Sequence, residues 1–196
     1  MAITSSMIAE LRAETGSGIL DCKKALEESG GDMVKAVEYL RKRGSKVAQK
    51  KAERETREGV VHAYIHANGK AGALVEVLCE TDFVARNEQF RNFVHDIAMH
   101  VAAANPLYLR PEDVPEEVIA KEKEIVKEQM AGEVKPANVI EKIVEGKINK
   151  YYEETCLLNQ LFVKDDSMTV EELVKDQIAK MGENIQIKRF VRFGLA

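Results

Sequence analysis

The spacing of apolar residues changes along the chain, and each change predicts a different kind of element. In the first 45 residues apolar positions recur every three or four places and are cut by glycines, which predicts three short helices. The first starts near Met7, sets Ile8 and Leu11 on one face and stops at Gly16, where a residue without Cβ can turn left-handed. The second follows Ser17 as its N-cap, carries Ile19 or Leu20 with Cys22, Ala25 and Leu26 inward, and ends at Gly30-Gly31. Asp32 caps the third, Val34, Val37 and Leu40 form its inward stripe, and Arg41-Lys42-Arg43 before Gly44 complement its negative end. Helices this short bury little area, so residues 1–45 are expected to form a small satellite domain. Residues 46–58 alternate Lys46, Lys50, Lys51, Arg54 and Arg57 with Glu53, Glu55 and Glu58, which predicts a solvated linker, helical in part.

At Val60 the period becomes two. Val60 to Ala67 and Ala71 to Cys79 flank Asn68-Gly69, a strong two-residue signal for an antiparallel hairpin. A long helix follows, capped by Asn87, striped by Phe90, Phe93, Val94, Ile97 and Val101, and closed by Asn105-Pro106. The Pro-framed, charged segment 106–135 predicts a helix starting at Pro115 with a narrow stripe of Ile119, Ile125 and Val126. Pro136 opens another, with Ile140, Ile143, Val144, Ile148 and Tyr151 at helical spacing. Thr169 and Glu172 form a capping box for a last helix that ends at Gly182. Asn184 to Phe193 is the final strand; its alternation turns ambiguous across Lys188-Arg189-Phe190. The sum is an α+β fold: an N-terminal three-helix domain, then residues 59–196 as a core of a small three-stranded antiparallel sheet packed with helices. A sheet face left uncovered would favour association with a second copy.

Composition narrows the class. The 196 residues are 45% hydrophobic and 32% charged with a net charge of −4, ordinary values for a globular protein. The N-terminus lacks a basic stretch followed by an apolar one, and no run approaches the roughly 18 apolar residues of a membrane span, so a cytoplasmic protein without membrane contact is expected. Cys22, Cys79 and Cys156 have neither zinc nor redox spacing and read as small buried residues of a reducing compartment.

The chemistry readable from motifs is sparse. Gly16-Ser17-Gly18 fails as a dinucleotide fingerprint because Asp21 stands where glycine is needed and no strand precedes it; helix capping explains it. His62 and His66 share a strand face around Tyr64, and His95 and His100 share a helix but not a helical face, so no metal site and no cofactor is expected. Carboxylates are abundant but none has a recognisable catalytic setting, and no catalytic residue is assigned. Eight Lys/Arg fall between Arg41 and Arg57, the one stretch that an RNA- or ribosome-binding module could use. Its interleaved glutamates and the negative net charge favour a solvated face, so no direct nucleic-acid contact is expected.

The most unusual segment lies between hairpin and helix, Glu80-Thr81-Asp82-Phe83-Val84-Ala85-Arg86-Asn87. Loops at strand ends present functional groups from rigid scaffolds, and an acid beside a large aromatic can fill a partner's pocket and disturb the charge behind it. The same residues also fit a local role, with Phe83 and Val84 in the core and Thr81 or Asp82 capping a turn.

Leu11-Arg12, Thr15-Gly16-Ser17-Gly18, Asp21-Cys22-Lys23-Lys24-Ala25-Leu26, Gly31-Asp32 and Lys35-Ala36 resemble the N-terminal signature of the bacterial elongation factor Ts family, and Cys79 to Arg86 resembles its second signature. Ile143 to Lys147, Gln160 to Asp165 and Gly182 to Ile185 fall where that family has similar blocks. The resemblance implies a guanine-nucleotide exchange factor for elongation factor Tu, without covalent chemistry of its own. It implies that Asp82 and Phe83 intrude near the GTPase's Mg²⁺ site with Thr81 and Val84 shaping the loop. It further implies that the N-terminal domain is like ubiquitin-associated domains and docks separately, for which Ile19, Leu20 and Lys23 are the candidate contacts. Many family members have methionine at the positions of Ile19 and Leu20 and proline at that of Leu161, which alters contact detail more than role. The single hairpin-helix core matches the short members of the family, which implies a homodimer through the small sheet and the C-terminal half.

Overall fold

A computed structural model describes residues 3–129 and 136–195. The fold is α+β, as the pattern predicts, and divides into two compact units whose segments interleave along the chain. The three-stranded sheet has the order β1-β2-β5, with β1 Glu58–Ile65, β2 Ala71–Cys79 and β5 Ile185–Gly194, and its strands contribute residues to both units.

The first unit comprises Met1–Val61, Glu76–Val94 and Glu172–Lys188. It opens with α1 Ser5–Thr15, α2 Ile19–Glu28 and α3 Met33–Lys51 around Leu11, Cys22, Ala25, Leu26 and Ala36. Gly16 and Asp32 perform the capping roles expected of them: Gly16 has φ 67°, and Asp32 Oδ1 accepts the Lys35 N–H at 3.1 Å. Four local expectations are corrected. Gly18, not Ser17, is the N-cap of α2, because the Cys22 N–H bonds Gly18 O while the Ser17 N–H donates to Thr15 Oγ1. Ile19 and Leu20 do not point inward; both are exposed. Val34 is exposed too, since the inward stripe of α3 runs through Met33, Ala36, Val37 and Leu40. Gly44 does not end α3, which continues to Lys51. A Cβ on Gly44 would meet Ala179 Cβ at 3.4 Å, so this glycine serves close packing against α8 (Val170–Met181).

The second unit comprises His62–Val75, His95–Glu171 and Arg189–Ala196. The hairpin turn is wider than Asn68-Gly69 alone. The His66 N–H bonds Ala71 O, the Gly69 N–H bonds His66 O, and Gly69 has φ 67° whereas Asn68 does not have positive φ. The mirror-image turn that the Asn-Gly pair favours needs positive φ at both residues, so this connection is instead a turn closed by a left-handed glycine. α5 Glu88–Ala104 follows, with the Gln89 N–H on Asn87 Oδ1 at 2.7 Å, and Phe90, Phe93, Val94, Ile97 and Val101 all buried. The latter part of α5 belongs to this unit and covers one sheet face: Arg192 Nε donates to Ala102 O at 3.0 Å, and the His95 ring packs against His62 and Tyr64. The side chains that alternate with these, Ile65, Leu74, Val191 and Phe193, are exposed on the other face.

Helices α6 Glu116–Gln129 and α7 Ala137–Thr155 share a small core of Val126, Val144 and Ile148 with Ile119, Ile140 and Tyr152 around it, so Tyr152 rather than Tyr151 continues the stripe. The last part of the Pro-framed segment, 130–135, lies outside the described residues. A second sheet that the pattern does not announce pairs β3 Leu161–Phe162 with β4 Asp165–Thr169. Two residues are too few to show alternation. Along β5 burial changes phase between Ile187 and Phe190, where the sequence turns ambiguous.

Candidate functional site

The segment after β2 folds into one short helical turn, α4 Asp82–Arg86. Thr81 caps it with extended backbone, accepting the Val84 N–H at 3.4 Å. Asn87 closes it through its N–H to Val84 O, and Arg91 Nε donates to Ala85 O at 3.3 Å. Five residues cannot hold a helix alone, so the turn depends on its surroundings. They are supplied by Glu183: Oε2 accepts the Glu80 N–H at 3.1 Å and the Thr81 N–H at 3.0 Å, and Oε1 accepts the Thr81 hydroxyl at 2.6 Å. Below the turn, burial and then the Glu183 charge push the Cys79 thiol up to about 11, so it stays protonated at neutral pH, donating to Thr81 O.

Held this way, the turn aims Phe83 outward with 82% of its surface exposed, while Ala85 faces the interior. The core role that the sequence leaves open for Phe83 is therefore not the one it has. Asp82 is partly exposed and pairs with Arg86 at 3.1 Å, an interaction that solvent screens. Val84 is half-buried at the base of the turn.

In the same unit, α2 presents Leu20 with 80% of its surface exposed and Ile19 beside a groove of about 560 Å³ lined by Ser5, Ile8, Ala9, Arg12 and Ala13. Lys23 stands on this helix in a loose pair with Glu27 at 3.8 Å. The basic stretch from Arg41 to Lys51 forms the second half of α3.

The model of the family described as "Elongation factor TS" matches residues 7–195. An elongation factor Ts of Carboxydothermus hydrogenoformans is 58% identical over 193 residues, covering 98% of this chain and 89% of that protein. Those of Thermodesulfovibrio yellowstonii and Thermosipho melanesiensis are each 56% identical, with 96% and 97% of their own lengths covered. The chain belongs to the elongation factor Ts family.

Membership makes it a translation elongation factor and accounts for the sequence blocks noted above. The elongation factor Ts block Cys79 to Arg86 is the end of β2 and the Phe83 turn, and the block Gly182 to Ile185 runs past the Glu183 carboxylate that braces it. Reasoning from local pattern missed Glu183 and Asn184, and it gave Glu80, although within the singled-out segment, no bracing role. The only sequence signal for Glu183 and Asn184 is that they fall within the Gly182 to Ile185 block, while Glu80 lies in the Cys79 to Arg86 block.

Three of the four histidines, His62, His66 and His95, form a separate cluster around Tyr64. His62 Nε2 lies 3.0 Å from His95 Nδ1 and Tyr64 OH lies 3.2 Å from His66 Nδ1; burial, then the charge of His95, lowers the His62 pKa. Among the described residues no group of three or more His, Cys, Asp or Glu is arranged to hold a metal ion, and no helix is long and apolar enough to cross a membrane.

Proposed function

We propose that this chain is a guanine-nucleotide exchange factor for elongation factor Tu, acting in the cytoplasm and performing no covalent chemistry. Phe83 enters a pocket of the GTPase and Asp82 perturbs the neighbouring Mg²⁺ site, while Thr81 and Val84 shape the turn that carries them. Mg²⁺ neutralises phosphate charge, so disturbing its site weakens nucleotide binding without breaking a bond. Linkage makes this reciprocal: the factor by which the exchange protein lowers nucleotide affinity is the factor by which nucleotide lowers its own. Nucleotide concentrations and affinities then set the direction of exchange.

The observation that carries this reading is the exposed Phe83 on a braced turn. A large aromatic in water is unfavourable for the isolated chain and favourable as an interface anchor. Leu20, Ile19 and Lys23 on α2 supply the second contact. The uncovered sheet face with Ile65, Leu74, Val191 and Phe193 joins two copies into a homodimer.

The test is the release of fluorescent GDP from purified elongation factor Tu. Acceleration by the wild type, lost in a folded Asp82→Ala/Phe83→Ala variant, supports function and site together. A folded wild type that leaves the release rate unchanged overturns the exchange reading.

A further inference from the structure

Three donors of the Phe83 turn end on one carboxylate, and the chain spends several other contacts to keep that carboxylate in place. Gly182 closes α8 at φ +74°, its N–H on Ile178 O, and this left-handed residue turns the chain so that Glu183 reaches the end of β2. Lys51 Nζ donates to Gly182 O. On the other side Asn184, only 1% exposed, donates its N–H to Glu80 Oε1 at 2.6 Å. Its amide donates to Arg54 O at 2.8 Å and Ala52 O at 3.3 Å, and Arg54 pairs with Glu80 at 3.5 Å. Residues 182–184 thus tie the end of α3, the end of β2 and the Phe83 turn to one another, all within the first unit.

We infer that Glu183 is a positioning residue for nucleotide exchange: it holds the Thr81 to Val84 turn in the shape that presents Phe83 and Asp82, without itself meeting the GTPase. The inference rests on the exchange reading above. Without the carboxylate the Glu80 and Thr81 N–H groups lose their acceptor and the Thr81 hydroxyl loses its anchor. The turn would then have to be ordered on docking, at the expense of the work done on the nucleotide site. Holding is a matter of hydrogen-bond geometry more than charge. A glutamine can accept both N–H groups on its oxygen and donate its amide to the Thr81 hydroxyl, so it preserves the bracing while removing the charge.

The experiment uses the full chain with purified elongation factor Tu loaded with fluorescent GDP, and reads the maximal release rate and the half-saturating concentration separately. For Glu183→Ala the maximal rate should fall about tenfold while half-saturation stays within about twofold, because charged hydrogen bonds to the turn are lost and the α2 contact is kept. Glu183→Gln should keep the maximal rate within about threefold of wild type. Amide hydrogen exchange should quicken across residues 80–84 in the alanine variant and not in the glutamine one. Glu183→Asp, whose carboxylate is drawn back by one methylene, is the second variant should alanine not fold, and the same fall in maximal rate is expected.

A merely structural role would lower the folded fraction, raising the apparent half-saturation and leaving the maximal rate; that result overturns the inference, as does an unchanged maximal rate. Equal losses in the alanine and glutamine variants would show that the charge acts on the partner, which also overturns it. A wild type that accelerates nothing sinks the exchange reading and the role of Glu183 with it, a result separable from the others because it appears before any variant is made.

Discussion

His100 Nε2 lies 3.0 Å from Gln160 Oε1, and together with one backbone donor this contact fixes the proton on the ring. The Val163 N–H donates to His100 Nδ1 at 3.2 Å, so Nδ1 is the acceptor and Nε2 carries the hydrogen. The Gln160 side chain is oriented in turn by donating to Glu154 O at 2.8 Å, and the Gln160 backbone carbonyl accepts the Val170 N–H. The relay ties the start of α8 and the segment after α7 to the fully buried face of α5 at His100.

A second proton on this ring would set a donor against the Val163 N–H in a buried site. Burial accordingly lowers the His100 pKa, the hydrogen bond to Gln160 opposing it. The neutral form is favoured in the folded state, so the contribution to stability is complete above the unfolded value of about 6.5 and is lost as pH falls below it toward the folded pKa. Urea denaturation between pH 8 and pH 5 should show wild type losing more stability than His100→Leu over that range. The variant should start lower by about 1–3 kcal/mol at pH 8, because the Val163 N–H and Gln160 lose their partner. Parallel pH profiles would refute the assignment.

Phe83→Ala should leave the denaturation midpoint within about 0.5 kcal/mol of wild type, because a side chain 82% exposed has little folded-state packing to lose. The same variant should lose most GDP-release activity. Loss of stability comparable to a core truncation, about 3–5 kcal/mol, would place Phe83 inside the fold.

Gly59→Ala should be among the most damaging single-methyl additions. Gly59 has φ +155°, and a Cβ there would sit 2.2 Å from Val77 O and 2.8 Å from Leu78 Cα. Both neighbours are backbone of the adjacent strand, so β1 must part from β2 locally, at about 3 kcal/mol or more. A variant within 1 kcal/mol of wild type, roughly the range of a tolerated surface change, would show that the strand start can shift freely.

What the sequence made legible is what local chemistry decides. Gly16, Asp32, Asn87 and Gly182 mark helix ends because a cap is satisfied within a few residues. Gly44 misleads because its role is set by Ala179, far along the chain on another helix. Val34 misleads because its periodicity is shared by a face one residue out of register with the buried one. The Phe83 segment stands out by composition, but whether its aromatic turns in or out depends on Glu183, 102 positions beyond Thr81, and no local pattern carries that pairing.

The uncovered sheet face yields the last prediction. Arg192 and Tyr64 point toward α5, so Val191, Phe193 and Ile65 point the other way, joined by Leu74 from the middle strand. Scattered apolar residues are normal on a surface, but four large exposed ones gathered on one face of a three-stranded sheet are a concentration of the kind that marks an interface. A sheet this small gains stability when its open face is covered, and a second copy offers the same patch to itself through a two-fold axis. Light scattering at micromolar concentration should therefore give a mass near twice 21.9 kDa. Phe193, with 71% of its surface exposed in the single chain, would be buried there, so Phe193→Glu should return the mass to that of one chain while the far-ultraviolet circular dichroism is kept. A wild type of single-chain mass would sink the dimer, and a glutamate variant that stays dimeric would move the interface to another face.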